Sequence, residues 1–358
     1  MSSALDARLM ALLRGADDLD EVAVALFRHQ VQACPAYRRL VESRAGGHLS
    51  RALHEVTGWR SVPWAPIEGF RNGLLCAVRP EAAAHTFVSS GTTAAVRGIH
   101  RLDSGALYRA GALRAFERAL LPAGAPRRII SLVPQVAESS LATMVGWVLE
   151  AFAESGGPPT AWTSTLQQES LGDQPVLVLG TALGLLAALD AAPDLRLPAG
   201  SAIMETGGFK GQRAEITRAM MFERYARAGV PAERVVGEYG MAELSSQWYD
   251  GIVGSACPDP DQRVYFPPPW ARTRVVDPVS LIDVPYGGVG LLLHFDPLNR
   301  GSVSAILTQD LGVRRPPPVF GDGERSEARD GFTYVGRASG APLKGCSSME
   351  LEQGEYLT

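Results

Sequence analysis

Four short segments of this 358-residue chain carry side chains suited to binding a nucleotide. The first is a run of small hydroxyl residues around a glycine, where backbone N–H groups and hydroxyls can surround phosphate oxygens. Taken alone, such a run suits an ordinary Ser/Thr-rich turn just as well. Its members are Ser89, Ser90, Gly91, Thr92 and Thr93.

The second segment follows a short apolar run and contains Tyr239, Gly240 and Glu243. The tyrosine ring can stack on a purine, and a glutamate carboxylate is a ligand that Mg²⁺ prefers. The carboxyl ends of strands are also where open α/β sheets place ligands. A buried tyrosine beside a solvated glutamate would give the same pattern.

The third segment contains Asp310, and the fourth contains Arg337. An aspartate at a strand end can accept hydrogen bonds from both hydroxyls of a ribose, and an arginine can contact phosphate or ribose. Ordinary surface charges are the alternative for each. Lys344 and Cys346 follow Arg337 closely.

Lys210 and Lys344 are the only lysines among the 34 basic residues. Arginine does not replace lysine where a site needs a compact point charge or a shiftable pKa. The two lysines are therefore candidates for a functional cation, with chance retention as the alternative.

The surrounding pattern predicts an α/β fold in which helices flank a mostly parallel sheet. An N-terminal helix is expected after Asp18, and residues 63–70 are expected to form a loop. Short β-branched or leucine-rich runs predict strands at 129–133, 176–179, 235–236, 291–295 and 304–307, and helical periodicity covers 104–120 and 212–228.

Composition excludes several classes of protein. The net charge of −4 without long runs of like charge argues against a general affinity for nucleic acid. The most apolar segment, 176–189, is shorter than the roughly 18 residues of a membrane span. The four cysteines form no C-x-x-C pair, which argues against a zinc ribbon or a disulfide framework and favours the cytoplasm.

In this order, the four segments resemble the adenylate-forming (AMP-binding) superfamily. Its pattern is a Ser/Thr/Gly loop, then Tyr-Gly-x-Thr-Glu, then Thr-Gly-Asp, then Gly-Arg. The chain is most similar to the acyl-protein synthetase (LuxE-like) family, which is related to phenylacetate-CoA ligases. Supporting segments are Gly207-Gly208-Phe209-Lys210-Gly211, Thr308-Gln309-Asp310-Leu311-Gly312 and Lys344-Gly345-Cys346-Ser347.

The resemblance implies a domain organisation. Residues 1–335 would form the large N-terminal domain of an adenylate-forming enzyme, with 1–80 as a helical N-terminal segment. Residues 336–358 would be a remnant of the C-terminal lid domain, which is missing or minimal. Because that lid normally delivers a catalytic lysine, Lys210 or Lys344 would have to supply the cation instead.

The resemblance also implies an activity, the ATP-dependent conversion of a carboxylic acid, fatty or otherwise, to an acyl adenylate. The hydroxyl-rich loop would hold phosphate, Gly207 and Gly208 would line the adenine, and Tyr239 would stack on it. Glu243 would ligate Mg²⁺, Asp310 would hold the ribose, and Arg337 would contact ribose or phosphate.

The acyl group would then pass to a thiol, as in the acyl-protein synthetases, where a cysteine near the C-terminus accepts it for a partner protein. Cys346 matches that cysteine in setting, and Lys344 could lower its pKa. Two alternatives stay open: a biosynthetic enzyme that passes the acyl group to an amine or carrier protein, and a catalytically weak nucleotide-binding partner protein. Ala94 and Ala242, which replace a glycine and a threonine of the pattern, motivate the second.

Overall fold

In the computed structural model the described residues are 2–89, 97–123, 125, 128–156, 160–207, 217–317 and 329–338. Their helices are α1 (Ser2–Leu13), α2 (Leu19–Ala33), α3 (Pro35–Arg44), α4 (Leu49–Glu55), α5 (Ala106–Leu120), α6 (Ser140–Glu154), α7 (Gln168–Leu171), α8 (Ala182–Ala191) and α9 (Arg218–Arg227). Their strands are β1 (Ala65–Pro66), β2 (His85–Val88), β3 (Ile99–Leu102), β4 (Arg128–Ser131), β5 (Ala161–Trp162), β6 (Val176–Thr181), β7 (Ala202–Thr206), β8 (Val235–Tyr239), β9 (Trp248–Tyr249), β10 (Arg272–Val276), β11 (Val289–Phe295), β12 (Ala305–Arg315) and β13 (Gly331–Arg337).

The larger sheet has the strand order β5-β4-β6-β7-β8-β9. Neighbouring strands from β5 to β8 run parallel, and β9 closes the edge antiparallel to β8. Parallel neighbours require crossover connections, and α8 makes one of them between β6 and β7. The predicted α/β architecture is therefore confirmed in this sheet.

Side chains of this sheet alternate between two apolar clusters, because successive strand residues point to opposite faces. On β6, Val176 and Val178 belong to the cluster that contains α8 and α9. Leu177 and Leu179 belong to the larger cluster that contains α5 and α6. The sheet is thus buried on both faces, as the continuous apolar runs in the sequence require.

The second sheet has the order β1-β12-β11-β10, with β13 paired to the outer part of β12. Its β10, β11, β12 and β13 run antiparallel, and only β1 pairs in parallel. The mostly parallel arrangement expected for the sheets is found in the larger sheet, whereas this second sheet is mostly antiparallel. The connection 296–304 is too short for a crossover, which needs about a dozen residues or more, so β12 folds back beside β11.

Residues 63–70, predicted as a loop, also hold regular structure. Ala65 and Pro66 form β1, and a 3₁₀ turn covers Ile67–Phe70. The short strand exists because β12 offers it a parallel edge at Ile306 and Leu307, a tertiary contact that no local pattern reveals.

The predicted helices are present, with shorter ends. Asp18 is the N-cap of α2 and its carboxylate accepts a hydrogen bond from the Glu21 N–H. α5 lies within the predicted 104–120 and α9 within 212–228, of which 212–216 lie outside the described residues. No helix among the described residues is long and apolar enough to cross a membrane.

A buried ion cluster fixes β8 to the segment that follows β9. The Asp250 carboxylate accepts from the Gly237 backbone N–H at 2.6 Å and lies 3.1 Å from Arg263 Nη1. Arg218 donates to its other oxygen. The side chains of Asp250 and Arg263 are both fully buried, and Asp250 is the carboxylate that balances the Arg263 charge.

We expect Asp250→Ala to lower the free energy of unfolding by about 3–5 kcal/mol, because it leaves the buried Arg263 guanidinium without its carboxylate. Denaturant unfolding followed by circular dichroism measures this change.

Glu55→Ala is the matched control, because Glu55 pairs with Arg51 at 2.7 Å on an exposed helix surface. That change should cost no more than about 0.5 kcal/mol. Equal effects of the two substitutions would show that the buried cluster does not hold β8.

Candidate functional site

Tyr239, Asp310 and Arg337, which are far apart in sequence, meet where the two sheets face each other. Tyr239 is the last residue of β8, and its hydroxyl donates to Asp310 Oδ2 at 2.9 Å. Arg337 Nε lies 3.4 Å from Asp310 Oδ1, because Asp310 on β12 is the register partner of Arg337 on β13. One carboxylate thus receives a neutral donor and a cation.

The position of Asp310 differs from the prediction. It was expected just beyond a strand that ended at residue 307, but it lies within β12, which continues to Arg315. The strand continues because β13 pairs with its second half. Asp310 is only 7% exposed, whereas the Arg337 side chain is 62% exposed. The pair therefore has a buried anionic end and a cationic end open to solvent.

A chain of hydrogen bonds runs from the Tyr239 hydroxyl to the Trp248 indole, and the donor and acceptor of each bond can be assigned. The Tyr239 hydroxyl donates to Asp310, so it must accept from His294 Nε2–H, which lies 3.2 Å away. Burial lowers the pKa of His294 to about 3, so the ring is neutral and Nδ1 must accept. The Thr273 hydroxyl is 3.0 Å from Nδ1 and itself accepts from the Trp248 indole N–H at 2.9 Å.

This chain fixes the Tyr239 side chain at its hydroxyl end while aromatic rings surround it. Phe332, His294 and Tyr334 lie with ring centroids at 5.1, 5.4 and 5.9 Å from the Tyr239 ring. Burial raises the pKa of Tyr239 well above its ordinary value, so the phenol keeps its proton. Tyr239 as a whole remains partly exposed, which leaves ring surface for a stacking partner.

Ser89 and Glu243 come together across Gly98. The Gly98 N–H donates to Ser89 Oγ at 2.9 Å, and the Ser89 N–H donates to the Gly98 carbonyl at 2.9 Å. A Cβ on Gly98 would lie 2.4 Å from Glu243 Oε1 and 3.1 Å from Ser89 Oγ. A side chain at position 98 would displace the Glu243 carboxylate, so glycine here lets Ser89, the first residue of the hydroxyl-rich loop, lie beside that carboxylate.

The segment that carries Glu243 is fixed by side chains that the sequence did not single out. Asp296 accepts from the Ser245 N–H and from the Ser246 hydroxyl, each at 2.7 Å. Asn299 Nδ2 donates to the Glu243 carbonyl at 2.8 Å. Polar residues directly after the apolar β11 were the available signal for these anchors.

His100 anchors the same segment at Ala242, where the superfamily pattern has a threonine. His100 Nδ1 donates to the Ala242 carbonyl at 3.0 Å, and Nε2 therefore accepts from the Ser302 hydroxyl at 3.1 Å. Burial lowers the pKa of His100 to about 4, which keeps the ring neutral. The backbone at Ala242 is thus held although the threonine hydroxyl is missing.

Eight of the predicted site residues lie outside the described residues. They are Ser90, Gly91, Thr92, Thr93, Gly208, Lys210, Lys344 and Cys346. Gly207 is described: it follows β7 with φ +69°, and a Cβ there would meet no described atom within 4 Å. Gly240 is exposed directly after Tyr239.

The donor set near Glu243 fits Mg²⁺. The described residues contain no group of three or more His, Cys, Asp or Glu side chains suited to a metal. Mg²⁺ needs no such cage, because it usually keeps several waters and binds one or two carboxylates together with substrate phosphates. Glu243, 5% exposed and adjacent to the Ser89 hydroxyl, presents that kind of ligand.

Neither a protein-family model nor a curated protein matches the sequence. The fold is similar to solved structures of 2-hydroxyisobutyryl-CoA ligase. An open conformation in complex with 2-HIB-AMP and CoA gives a TM-score of 0.63 at 15% identity over 89% of this chain and 74% of that chain. The postadenylation state with R3-HIB-AMP gives 0.63, also at 15%, over 89% and 67%.

A third structure of that ligase, in the thioesterification state with 2-HIB-AMP and CoA, gives a TM-score of 0.62 at 15% identity, with coverage of 89% and 68%. Similarity at this level of identity is a similarity of fold. The described residues therefore have the α/β fold of these ligase structures, in agreement with the predicted fold class.

Proposed function

We propose that the protein uses ATP to convert a carboxylic acid to an acyl adenylate. The observation that carries this proposal is the contact of Tyr239, Asp310 and Arg337, three residues of the superfamily pattern, at the junction of the two sheets. The fold and the adjoining Ser89 and Glu243 support the same function.

The roles of the described side chains follow from their chemistry. The Asp310 carboxylate would accept hydrogen bonds from the ribose hydroxyls, and Arg337 would contact ribose or phosphate from its exposed position. The partly exposed Tyr239 ring would stack on the adenine beside Gly207 and Gly240. Ser89 would continue into the phosphate-binding loop formed by Ser90, Gly91, Thr92 and Thr93.

In the reaction, a carboxylate oxygen forms a bond to the α-phosphorus and the bond to the bridging oxygen breaks. The electron pair of that bond leaves with pyrophosphate, and the acyl adenylate remains. Mg²⁺, held by Glu243, would offset the negative charge of the phosphates. Lys210 or Lys344 would add a fixed positive charge, since the transition state spreads negative charge over the phosphoryl oxygens.

The second step would transfer the acyl group to a thiol. The sulfur attacks the acyl carbon, the bond to the phosphate oxygen breaks, and AMP leaves. We propose Cys346 as that thiol, in the manner of an acyl-protein synthetase with a protein as the final acceptor. Transfer to an amine or to a carrier protein is the competing outcome.

Acid-dependent exchange of label between pyrophosphate and ATP tests the first step. We expect Asp310→Asn to reduce kcat/KM for ATP in this assay about tenfold to hundredfold, because the neutral amide loses charge-assisted hydrogen bonds to the ribose. The matched control is Asp330→Asn, because Asp330 also pairs with an arginine, Arg314, at 2.6 Å in the same sheet.

Asp330→Asn should leave exchange unchanged. ATP binding without exchange for any acid would contradict the proposed activity and would support the weak nucleotide-binding partner instead.

His294 should act as a positioning residue for Tyr239 and Asp310. We expect His294→Phe to raise KM for ATP several-fold while kcat changes less, because the ring no longer donates to the Tyr239 hydroxyl. In the wild type, ¹⁵N NMR should show a single neutral tautomer with the proton on Nε2 that does not titrate between about pH 5 and 8. A titrating signal, or a fall in kcat as large as the rise in KM, would contradict this role.

Labelled acid and ATP should leave a hydroxylamine-sensitive label on the protein if Cys346 accepts the acyl group. We expect the label to disappear in Cys346→Ser, whereas Cys257→Ser, at a partly buried free cysteine, should retain it. Undiminished labelling of Cys346→Ser would reject Cys346 as the acceptor.

A further inference from the structure

Glu238, which precedes Tyr239, is a buried carboxylate without a basic partner. It is 5% exposed, and the Thr206 hydroxyl donates to its Oε2. Among the described residues no lysine, arginine or histidine forms an ion pair with it, and burial raises its pKa to about 7. A buried carboxyl group in this setting is costly unless something further binds to it.

The direction of Glu238 follows from the sheet. Thr206 and Glu238 are register partners on β7 and β8, and each lies two residues beyond an apolar residue of the α5–α6 cluster, Met204 and Val236. Both side chains therefore point to the α5–α6 face. Tyr249 on β9 is directly opposite Glu238 in the antiparallel pair, so it shares that face.

Three further polar side chains, Tyr108, Gln247 and Tyr249, lie on this side of the sheet, and the last two have unused hydrogen-bonding capacity. Tyr249 Oη and Gln247 Oε1 are buried and have no hydrogen-bond partner within the described part of the chain. Gln247 Nε2 donates to Tyr108 Oη at 3.3 Å, and Tyr108 in turn donates to the Ser140 carbonyl at 3.1 Å. Buried polar groups left unpaired are uncommon in native proteins, so each calls for an explanation.

The Glu238 carboxylate is close enough to Tyr108 and Tyr249 to affect their pKa values. Burial, with the Glu238 carboxylate as the next cause, raises the pKa of both Tyr108 and Tyr249 well above the ordinary value. Tyr108 is held by edge contacts with Phe87 and Trp147, at centroid distances of 5.7 and 5.1 Å. The cluster is therefore preorganised, with acceptors on Glu238 and Gln247 and a hydroxyl on Tyr249.

The cluster also adjoins the proposed nucleotide site. Thr206 and Glu238 directly precede Gly207 and Tyr239, and a Cβ on Gly240 would lie 2.6 Å from Glu238 Oε1. With the nucleotide stacked on Tyr239 as proposed, the acyl part of the acid would lie close to these residues. Apolar residues of the α5–α6 cluster share this face, but a long alkyl chain would leave the polar atoms of Glu238, Gln247 and Tyr249 without hydrogen-bond partners.

We propose that Glu238, Gln247 and Tyr249 bind the acyl part of the substrate, and that this substrate is a compact carboxylic acid bearing an amino or hydroxyl group. This inference rests on the proposed function and names its substrate class. A substrate hydroxyl would donate to the Glu238 carboxylate and accept from the Tyr249 hydroxyl, whereas an ammonium group, with three donors, could reach both the Glu238 carboxylate and Gln247 Oε1. The ammonium would also provide a cation that Glu238 lacks among the described residues.

Calorimetry with a matched acid series tests this proposal. The series is butanoate, its hydroxy and amino derivatives at each carbon, and dodecanoate, added in the presence of a non-hydrolysable ATP analogue. At least one hydroxy or amino derivative should bind about tenfold or more tighter than butanoate, because it pairs buried acceptors that butanoate leaves unpaired. A preference for an amino derivative over its hydroxy counterpart identifies the ammonium as the group recognised.

Two substitutions at Glu238 test which residue sets the preference. Glu238→Met, of similar size and without an acceptor, should abolish the preference for both kinds of derivative. Glu238→Gln should abolish it only for amino acids, since the amide oxygen still accepts from a hydroxyl. Removal of a buried carboxylate is not expected to prevent folding, which unfolding midpoints check. Tyr249→Phe gives independent evidence, because it removes a hydroxyl that has no partner among the described residues and should weaken binding of the preferred derivative.

Glu205→Gln is the matched control. Glu205 is also buried on β7, but it belongs to the opposite face, where it accepts from the Tyr225 hydroxyl at 2.9 Å. That substitution should leave the acid preference intact.

Pyrophosphate exchange, measured with the same acids and variants, separates the proposed function from the inference about the acid. Binding of a substituted acid that depends on Glu238, without any exchange, would overturn the proposed function and support the inference about the acid. Exchange with butanoate or dodecanoate that is unaffected by Glu238→Met would overturn the inference and leave the proposed function standing. Failure of every acid in the series to bind would also overturn the inference.

Discussion

The candidate site depends on the contacts that the Asp310 carboxylate makes with Tyr239 and Arg337. This carboxylate joins the end of β8 in one sheet to β12 and β13 in the other, through the Tyr239 hydroxyl and the Arg337 guanidinium. A buried carboxylate needs partners that offset its lost hydration, and here the Tyr239 hydroxyl provides a hydrogen bond and the Arg337 guanidinium provides a nearby positive charge. In the proposed function, nucleotide recognition and the joining of the two sheets would use the same group.

A chain of neutral, buried groups holds the Tyr239 hydroxyl in its hydrogen bond to this carboxylate. In the chain from Trp248 through Thr273 and His294 to Tyr239, the donor and the acceptor of every hydrogen bond are fixed, which follows from the neutral state of His294. A fully satisfied network of this kind makes the geometry specific, because any reversal would leave a donor or an acceptor unpaired. The contrast with Glu238 is informative, since there the neighbouring polar atoms are not all paired.

The sequence predicted the fold class and indicated residues that the structure brings together, but it did not predict how they are held. The order of the four segments indicated Tyr239, Glu243, Asp310 and Arg337, but the Asp310–Arg337 register depends on pairing between β12 and β13 and on no local pattern. His294 was missed although it is a single polar residue in an apolar strand. Glu238 gives no such signal, because the sequence pattern at this point is defined by the tyrosine and glycine that follow it. The expected roles of Lys210, Lys344 and Cys346, which lie outside the described residues, stay predictions.

A crystal structure of the protein with AMP tests the central claim most directly, because it locates the nucleotide relative to the junction of the two sheets. Both ribose hydroxyls should lie within hydrogen-bond distance of the Asp310 carboxylate, with the adenine against the Tyr239 ring. AMP bound elsewhere, with Asp310 contacting only Tyr239 and Arg337, would contradict the assignment of this junction as the nucleotide site.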